Sequence, residues 1–330
     1  MLNKLTLTVA CHGYDRVQAL RDGTVQADGI DLRMITLPIE EIFWRQIRHR
    51  EFDASELSMS AYLIGRSRGD LPFIAIPVFP SRFFRHSCIY VNPARGITQP
   101  TDLVGKRIGV PEYHLTAVLW IRGMLAEDYG VTPNQILWFT GGLENPGREE
   151  KFKLQLPDVH MEAIPPHRTL NEMLEAGELD GYMGPRQPRG FRRAEPTLVR
   201  LFPDYEQVEM EYYRRTGIFP IMHVVAIQEE LCLREPWVAM SLYKAFVAAK
   251  DYALREMDNT GALQYALPWM WPSLERTRAL MGWDIWPYGV EANRVTLEKM
   301  LEYSYQQGLS RRRLSVEEIF APGTLDEFKI

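Results

Sequence analysis

Apolar and polar positions change their spacing along the chain, between a period of two and a period of about 3.6 residues. Residues 5–10 and 30–35 alternate as strands do, and a loop and short helix separate them. After Pro38, apolar residues recur at helical spacing as far as about His49. Strands and helices in alternation are typical of an α/β fold with mainly parallel sheets.

The block 101–131 carries the clearest pattern. It predicts a strand at 106–110, a turn at 111–114 and an amphipathic helix at 115–129 that Gly130 closes. Such a strand–turn–helix presents backbone N–H groups and the positive end of a helix dipole around Thr116, which suits an anion.

The remaining pattern extends the same organisation. Further predicted strands are 54–59, 73–78, 88–91, 136–140 and 178–183, and a helix is predicted at 170–176. Helical spacing dominates from Pro236 to about Gln307, and a loop and tail follow. We therefore expect mixed, mostly parallel sheets with flanking helices and a helical C-terminal region.

Composition and charge narrow the class of protein. The 330 residues exceed the usual size of a single core, so one large domain or two lobes are expected. Apolar residues make up 46% and charged residues 25%, as in soluble globular enzymes. A net charge of −5 argues against nucleic acid as the main partner, because phosphate binding shows as a basic excess.

Neither the cysteines nor the short sequence motifs indicate a cofactor. Cys11, Cys88 and Cys232 form neither a disulfide framework nor a zinc spacing, and we expect buried thiols. The sequence has no HExxH, GxSxG, Walker or GxGxxG element and no lysine in a pyridoxal context, so we predict no cofactor and no metal.

The N-terminal residues alternate like a strand and lack the apolar run of a signal peptide. No stretch approaches the roughly 20 apolar residues of a membrane span. We expect a cytoplasmic protein without a membrane partner, which counts against a transport receptor.

Three segments carry a resemblance in fold: REFDASELSMSAY, DLVGKRIGV and LEAGELDGYMGP. They resemble the recurring strand–loop segments of type-2 periplasmic binding proteins. The resemblance implies a two-lobed fold, with lobe 1 formed by 1–91 and 201–330 and lobe 2 by 92–200. It also implies a ligand cleft between the lobes.

A closer resemblance covers nearly the whole chain. Its segments are LPIEEIFWR, AIPVFPSRFFRHSCIYVN, GKRIGVPEYHLTAVLWIRGML, RRTGIFPIMHVVAI, PWVAMSLYKAFVAAK, WPYGVEANR and FAPGTLDEFKI. They are similar to the 4,5-dihydroxyphthalate decarboxylase family, some members of which are labelled substrate-binding proteins. The resemblance implies a carboxy-lyase of phthalate degradation that acts on a small aromatic carboxylate.

The segment 82–87 contains several side chains of the types that bind or protonate such a substrate. Arg82 and Arg85 offer bidentate donors to a carboxylate, neighbouring phenylalanines offer a stacking face, and His86 can transfer a proton. On an extended segment, Arg82, Phe84 and His86 would point one way and the intervening residues the other. The alternative is a solvated basic edge strand.

Other candidates follow predicted strands. His114, with Glu112 and Thr116, lies at the lobe 2 anion site, and His223 lies in a strand-like apolar run within the GIFPIMH segment of the resemblance. The alternatives without a function in catalysis are that His114 is solvated, that Thr116 only caps the helix, and that His223 is a core residue whose ring is hydrogen-bonded. Further residues expected to contact substrate are Ser58, Ser60, His12, Tyr14 and Arg186.

We predict a cofactor-independent decarboxylase, with His86 and His223 as the acid/base pair, His114 as a third candidate, and arginines that hold carboxylate. The open alternatives are a solute-binding protein for an aromatic carboxylate and another enzyme on this fold, such as a chorismate-type dehydratase. Four tryptophans near the C-terminus, Trp269, Trp271, Trp283 and Trp286, suit core packing, with a homo-oligomer interface as the alternative.

Overall fold

The structure is a computed structural model that describes residues 4–325, so the last five residues of the FAPGTLDEFKI segment lie outside the described part. The strands are β1 Leu5–Ala10, β2 Ile30–Ile35, β3 Ala54–Ser58, β4 Phe73–Ile76, β5 Ile89–Val91, β6 Arg107–Val110, β7 Leu137–Thr140, β8 Met161–Ala163, β9 Gly181–Met183, β10 Val199–Arg200 and β11 His223–Gln228. The helices are α1 Asp15–Arg21, α2 Ile39–His49, α3 Met59–Arg68, α4 Thr116–Tyr129, α5 Leu170–Glu175, α6 Tyr205–Thr216, α7 Glu229–Arg234, α8 Trp237–Glu256, α9 Met270–Met281 and α10 Arg294–Gln306.

The described chain divides into two units. The first comprises the described residues up to Arg82, His223–Glu298 and the described residues from Leu314; the second comprises Phe83–Met222 and Lys299–Arg313. The lobes expected from the sequence, 1–91 with 201–330 and 92–200, have other boundaries. The difference has a physical cause: β5 pairs with β9 in the second sheet, and α6 packs on the turn before β5.

The first unit is built on a five-stranded mixed sheet of order β2-β1-β3-β11-β4. β1 pairs in parallel with β2 and β3, whereas β11 runs antiparallel to β3 and β4. Every residue of β3 and β4 is buried, as expected for strands covered on both faces. Ser58 of β3 lies opposite His223 of β11 in this register, which sets two polar residues side by side at the strand ends.

The second unit contains a six-stranded mixed sheet of order β10-β5-β9-β6-β7-β8. β6 pairs in parallel with β7 and β9, and the antiparallel pairs lie at the β10-β5-β9 side. α4 follows β6 after a short turn and ends at Gly130, whose φ of 68° is the left-handed conformation that glycine adopts at low cost.

The segment 82–87 departs from the predicted extended strand. Arg85 has φ −124° and ψ 2°, and His86–Cys88 forms a 3₁₀ turn, so the predicted alternation does not hold. The carboxylate of Glu209 on α6 accepts a hydrogen bond from the Ser87 backbone N–H at 3.1 Å, which stabilises this turn. The alternative of a solvated edge is wrong too, because Arg82, Arg85 and His86 are all buried.

Two tryptophans also depart from the sequence analysis. We expected core packing, but Trp269 and Trp283 are 74% and 78% exposed. They lie at the two ends of α9, where a side chain can leave the helix–core contact. No helix among residues 4–325 combines the length and apolarity that crossing a membrane requires.

Candidate functional site

Glu56 is the centre of a polar cluster in the first unit. It lies in the middle of β3, fully buried, and shares a face of the sheet with Ser58. One of its oxygens, Oε1, accepts hydrogen bonds from His223 Nδ1 at 2.6 Å and from the Tyr14 hydroxyl at 2.7 Å. The other, Oε2, accepts from the His12 backbone N–H at 3.0 Å and lies 3.5 Å from Cys11 Sγ.

These donors decide the charge of Glu56. Burial by itself raises the pKa of a carboxyl group, but the hydrogen bond and charge of His223, together with the other donors, bring the pKa of Glu56 below its usual range. Burial and the neighbouring Glu56 carboxylate raise the pKa of Tyr14, so its hydroxyl keeps its proton and donates. Glu56 is therefore an ionised, buried carboxylate.

His223 is the partner that reaches beyond the cluster. Its side chain is 15% exposed, and the Phe43 ring meets it edge-on at 5.0 Å. Glu56 fixes Nδ1, and no hydrogen bond engages Nε2 within the described chain. A carboxylate that orients one imidazole nitrogen and leaves the other open is the arrangement that general acid/base histidines use.

A second cluster lies in the turn between β6 and α4. His114 Nδ1 lies 2.9 Å from Glu150 Oε2, and its Nε2 lies 3.5 Å from Glu112 Oε2. Arg148 donates twice to Glu112 Oε1, at 2.9 and 2.7 Å, and Lys151 Nζ lies 3.3 Å from the same oxygen. Burial alone would raise the pKa of Glu112, but His114, Lys151 and Arg148 lower it.

A metal ion is one conceivable occupant of this second cluster. Glu112, His114 and Glu150 each offer a ligand atom, and these atoms lie within 4.8 Å of one another. However, Arg148 and Lys151 already neutralise Glu112, and their two positive charges oppose a further cation. The cluster therefore suits an ion-paired histidine better than a metal, and the prediction of no metal stays a prediction.

The two arginines of the 82–87 segment differ in their partners. Arg82 donates to the Pro287 carbonyl at 3.0 Å and to the Asn293 side chain, so it binds the C-terminal part of the first unit. Arg85 donates only to sulfur, to Met222 Sδ at 3.2 Å and Cys88 Sγ at 3.5 Å. The Arg85 side chain is buried and forms no ion pair with a carboxylate among residues 4–325, although its charge acts on the Glu209 carboxyl group and opposes the rise that burial causes in the pKa of Glu209. The guanidinium is therefore able to bind a substrate carboxylate as well.

His86 packs against aromatic rings, and charged residues such as Arg215 line the adjoining cavity. Its ring meets Phe202 at 5.4 Å and Tyr212 at 5.3 Å, and neither ring nitrogen has a hydrogen-bond partner in the described chain. Burial, with the positive charge of Arg215, lowers the pKa of His86 to about 4. Its role in catalysis stays a prediction, and its environment suits a neutral packing residue.

The remaining predicted residues occupy varied places. His12 Nδ1 lies 3.1 Å from the Leu37 carbonyl, and its backbone binds Glu56 as described. Ser58 caps α3, Ser60 is buried in the first turn of that helix, and Thr116 is the first residue of α4. Arg186 is exposed. Their contacts with substrate stay predictions.

Glu56, Arg148 and Glu150 are residues that sequence reasoning missed. For Glu56 a weak signal existed: an acidic residue inside a predicted strand needs a partner if both faces of that strand are covered, because an isolated buried charge is costly. Arg148 and Glu150 lie in a loop without periodicity, and their proximity to Glu112 follows only from the folded chain.

Comparison with known proteins gives close relatives in sequence. A 4,5-dihydroxyphthalate decarboxylase of Comamonas testosteroni is 44% identical over 330 residues, which is 100% of both chains. One of Pseudomonas putida is 46% identical over 215 residues, 65% of this chain and 83% of that relative. No protein-family model matches the chain.

Solved structures show the fold. The periplasmic aliphatic sulphonate binding protein SsuA from Escherichia coli superposes with a TM-score of 0.54 at 10% identity, covering 97% of this chain and 99% of that one. The Candida albicans CA3427 gene product, which has the generic periplasmic binding protein fold, gives 0.51 at 13% identity, with 95% and 93% covered. The predicted periplasmic-binding-protein-like fold is confirmed.

Proposed function

We infer the reaction from a premise that the relatives establish: the chain belongs to the 4,5-dihydroxyphthalate decarboxylase family. We propose that it removes one carboxylate of 4,5-dihydroxyphthalate and releases CO2 and protocatechuate. The observation that carries the chemistry is the Glu56–His223 pair, a buried carboxylate that holds an imidazole with Nε2 open.

The substrate suits proton chemistry because each carboxylate has a hydroxyl para to it. A base takes the proton of that hydroxyl while an acid protonates the ring carbon that bears the carboxylate. The carbon–carboxylate bond then breaks and CO2 leaves. The electron pair of that bond stays with the ring and restores its aromaticity. Each positioned proton transfer contributes about 10²–10⁴-fold in rate.

His223 is the first candidate for these transfers. Glu56 stabilises the imidazolium that forms when Nε2 takes a proton, since the carboxylate is ionised and lies 2.6 Å from Nδ1. Tyr14 donates to the same oxygen and holds the carboxylate in place. This pair therefore supports a general acid or base whose geometry is set before substrate binds.

His114 is the second candidate and ranks above His86. Its Nε2 contact with Glu112, at 3.5 Å, is long enough for a substrate group to replace, whereas neither nitrogen of the buried His86 has a hydrogen-bond partner in the described chain that would orient the ring. Arg85 supports the binding of a carboxylate, because sulfur atoms are its hydrogen-bond acceptors. The cytoplasmic location and a homo-oligomeric state stay predictions.

A direct assay tests the proposal. Purified protein incubated with 4,5-dihydroxyphthalate should give protocatechuate and CO2 in equal amounts, and dialysis against a chelator should leave the rate unchanged. Phthalate, which lacks the para hydroxyl, should bind without turnover. Tight binding of 4,5-dihydroxyphthalate with no product would instead favour a solute-binding protein, the alternative that the sulphonate-binding fold neighbour keeps open.

A further inference from the structure

Arg122 is a buried charge that the proposed chemistry does not use. It lies on α4, 1% exposed, and forms no direct ion pair with a carboxylate among residues 4–325, although the charge of Glu150 acts on it. A guanidinium without a directly bound carboxylate is costly to bury, so an apolar residue at this position would cost less. Its hydrogen bonds show where the guanidinium acts.

The guanidinium binds the turn that carries His114. Nη1 donates to the Tyr113 carbonyl at 2.7 Å, and the guanidinium carbon lies 3.6 Å above the centre of the Tyr113 ring. Nε donates to Gln307 Oε1 at 2.7 Å, and Gln307 in turn donates to the Leu119 carbonyl at 3.0 Å. Arg122 is therefore fixed by its own helix and holds the turn from that side.

The backbone of Tyr113 is bound at both ends. Its carbonyl, which leads to His114, accepts from Arg122, and its N–H, which follows Glu112, donates to Glu150. Glu150 also binds His114 Nδ1 through its second oxygen. Because both the N–H and the carbonyl of Tyr113 are hydrogen-bonded, the peptide units on either side of Tyr113 are fixed. The directions of the Glu112 and His114 side chains are therefore set together.

We propose that Arg122 is a positioning residue that fixes the Glu112–Tyr113–His114 turn and thereby the orientation of the His114 imidazole. Its contribution to rate rests on the proposed role of His114. Its contribution to geometry does not, because the contacts with Tyr113 exist whether or not His114 transfers a proton. The two contributions therefore have separate measurements.

The geometry is measured by the ¹⁵N chemical shifts of the histidine side chains, with the His114 signals assigned from His114→Gln. In folded Arg122→Met these signals should shift, and those of His223 should stay. Arg122→Lys, which keeps the positive charge but loses the planar guanidinium, should give an intermediate shift. Arg168→Met is the matched control: it removes an arginine of the same unit, paired with Glu178 at 3.0 Å, and should leave the His114 signals unchanged.

The rate is measured with 4,5-dihydroxyphthalate. Arg122→Met should lower kcat on the order of 10²-fold with KM little changed, since misplaced catalytic groups cost about that factor. In the His114→Gln background the same substitution should add almost nothing, because both changes act through one imidazole. A purely structural role would instead multiply the two losses.

His114 signals that are the same in Arg122→Met and wild type would overturn the proposal, whatever the rates. Full activity of His114→Gln would remove His114 from the proposed function, while the chemical shifts would still decide the role of Arg122. If Arg122→Met does not fold, Gln307→Leu gives the same test, because it removes the acceptor of Nε. It should shift the His114 signals in the same direction by a smaller amount, and unchanged signals would again refute the role.

Discussion

At the scale of single residues, the proposed chemistry depends on the hydrogen-bond partners of each histidine. Glu56 binds His223 and leaves one nitrogen open, two carboxylates flank His114, and two aromatic rings contact His86. The three imidazoles are therefore different chemical groups, although the sequence presents them alike. Their substitution should have different consequences.

Glu56→Gln keeps the shape of the side chain but removes the charge that stabilises a His223 imidazolium. We expect kcat to fall by about 10²-fold or more with KM changed only a few-fold, as when an orienting carboxylate is lost. Steady-state kinetics near pH 7 measure this. Asp53→Asn, which alters a carboxylate bonded to Thr8 in the same unit, is the control and should keep its kcat. Equal losses in both variants would count against a catalytic dyad.

His86→Phe should change the pH dependence of stability. The pKa of His86 is lowered to about 4 in the folded protein, whereas an unfolded histidine has a pKa of about 6.5. The unfolded state therefore binds the extra proton between these values, and the wild type loses up to about 3 kcal/mol as pH falls from 6.5 to 4. The phenylalanine variant should lose less over this interval.

Urea unfolding at several pH values measures that difference. If wild type and His86→Phe lose stability in parallel from pH 6.5 to 4, His86 is not a buried neutral residue, and its candidacy for proton transfer gains weight. Retention of kcat in His86→Phe would agree with the packing role.

At the scale of elements, the close approach of α4 to α10 supports the His114 turn. A Cβ atom built on Gly123 would lie 2.2 Å from two ring atoms of Tyr303, which is buried. Only glycine permits this approach, since a rigid ring cannot move aside as a flexible side chain does. α4 can therefore lie this close to α10 only because residue 123 has no side chain.

Gly123→Ala should destabilise the protein, although alanine is the better helix former. The expected loss is about 1–3 kcal/mol from overpacking, offset by up to about 1 kcal/mol of helix propensity. Chemical denaturation measures the change, and Gly130→Ala, at the positive-φ end of α4, separates strain from overpacking. A Gly123→Ala variant as stable as wild type would contradict the tight contact.

Much of the secondary structure could be predicted from the sequence. The strands β1 and β2 and the α4 region follow from local periodicity, so their bounds agree with the prediction to within a residue. The turn at 86–88 could not be predicted, because the Glu209 carboxylate that binds it comes from α6, more than a hundred residues along the chain. For the same reason the predicted side-chain alternation failed after Arg82.

At the scale of the whole molecule, the fold and the chemistry have different sources. The periplasmic-binding-protein-like fold is shared with a sulphonate-binding protein at 10% identity, so the fold alone specifies no reaction. A catalyst on this fold needs proton-transfer groups in addition, and we propose that Glu56 and His223, whose Oε1 and Nδ1 atoms lie 2.6 Å apart, are such groups. A carrier would need the binding groups alone.

The most direct test of this account is CO2 release from carboxyl-labelled 4,5-dihydroxyphthalate, measured at saturating substrate for wild type and His223→Gln. The wild type should release one CO2 for each protocatechuate formed, and the variant should bind substrate yet release CO2 at least about 100-fold more slowly. Release at the wild-type rate by His223→Gln, or bound substrate without CO2 from the wild type, would contradict it.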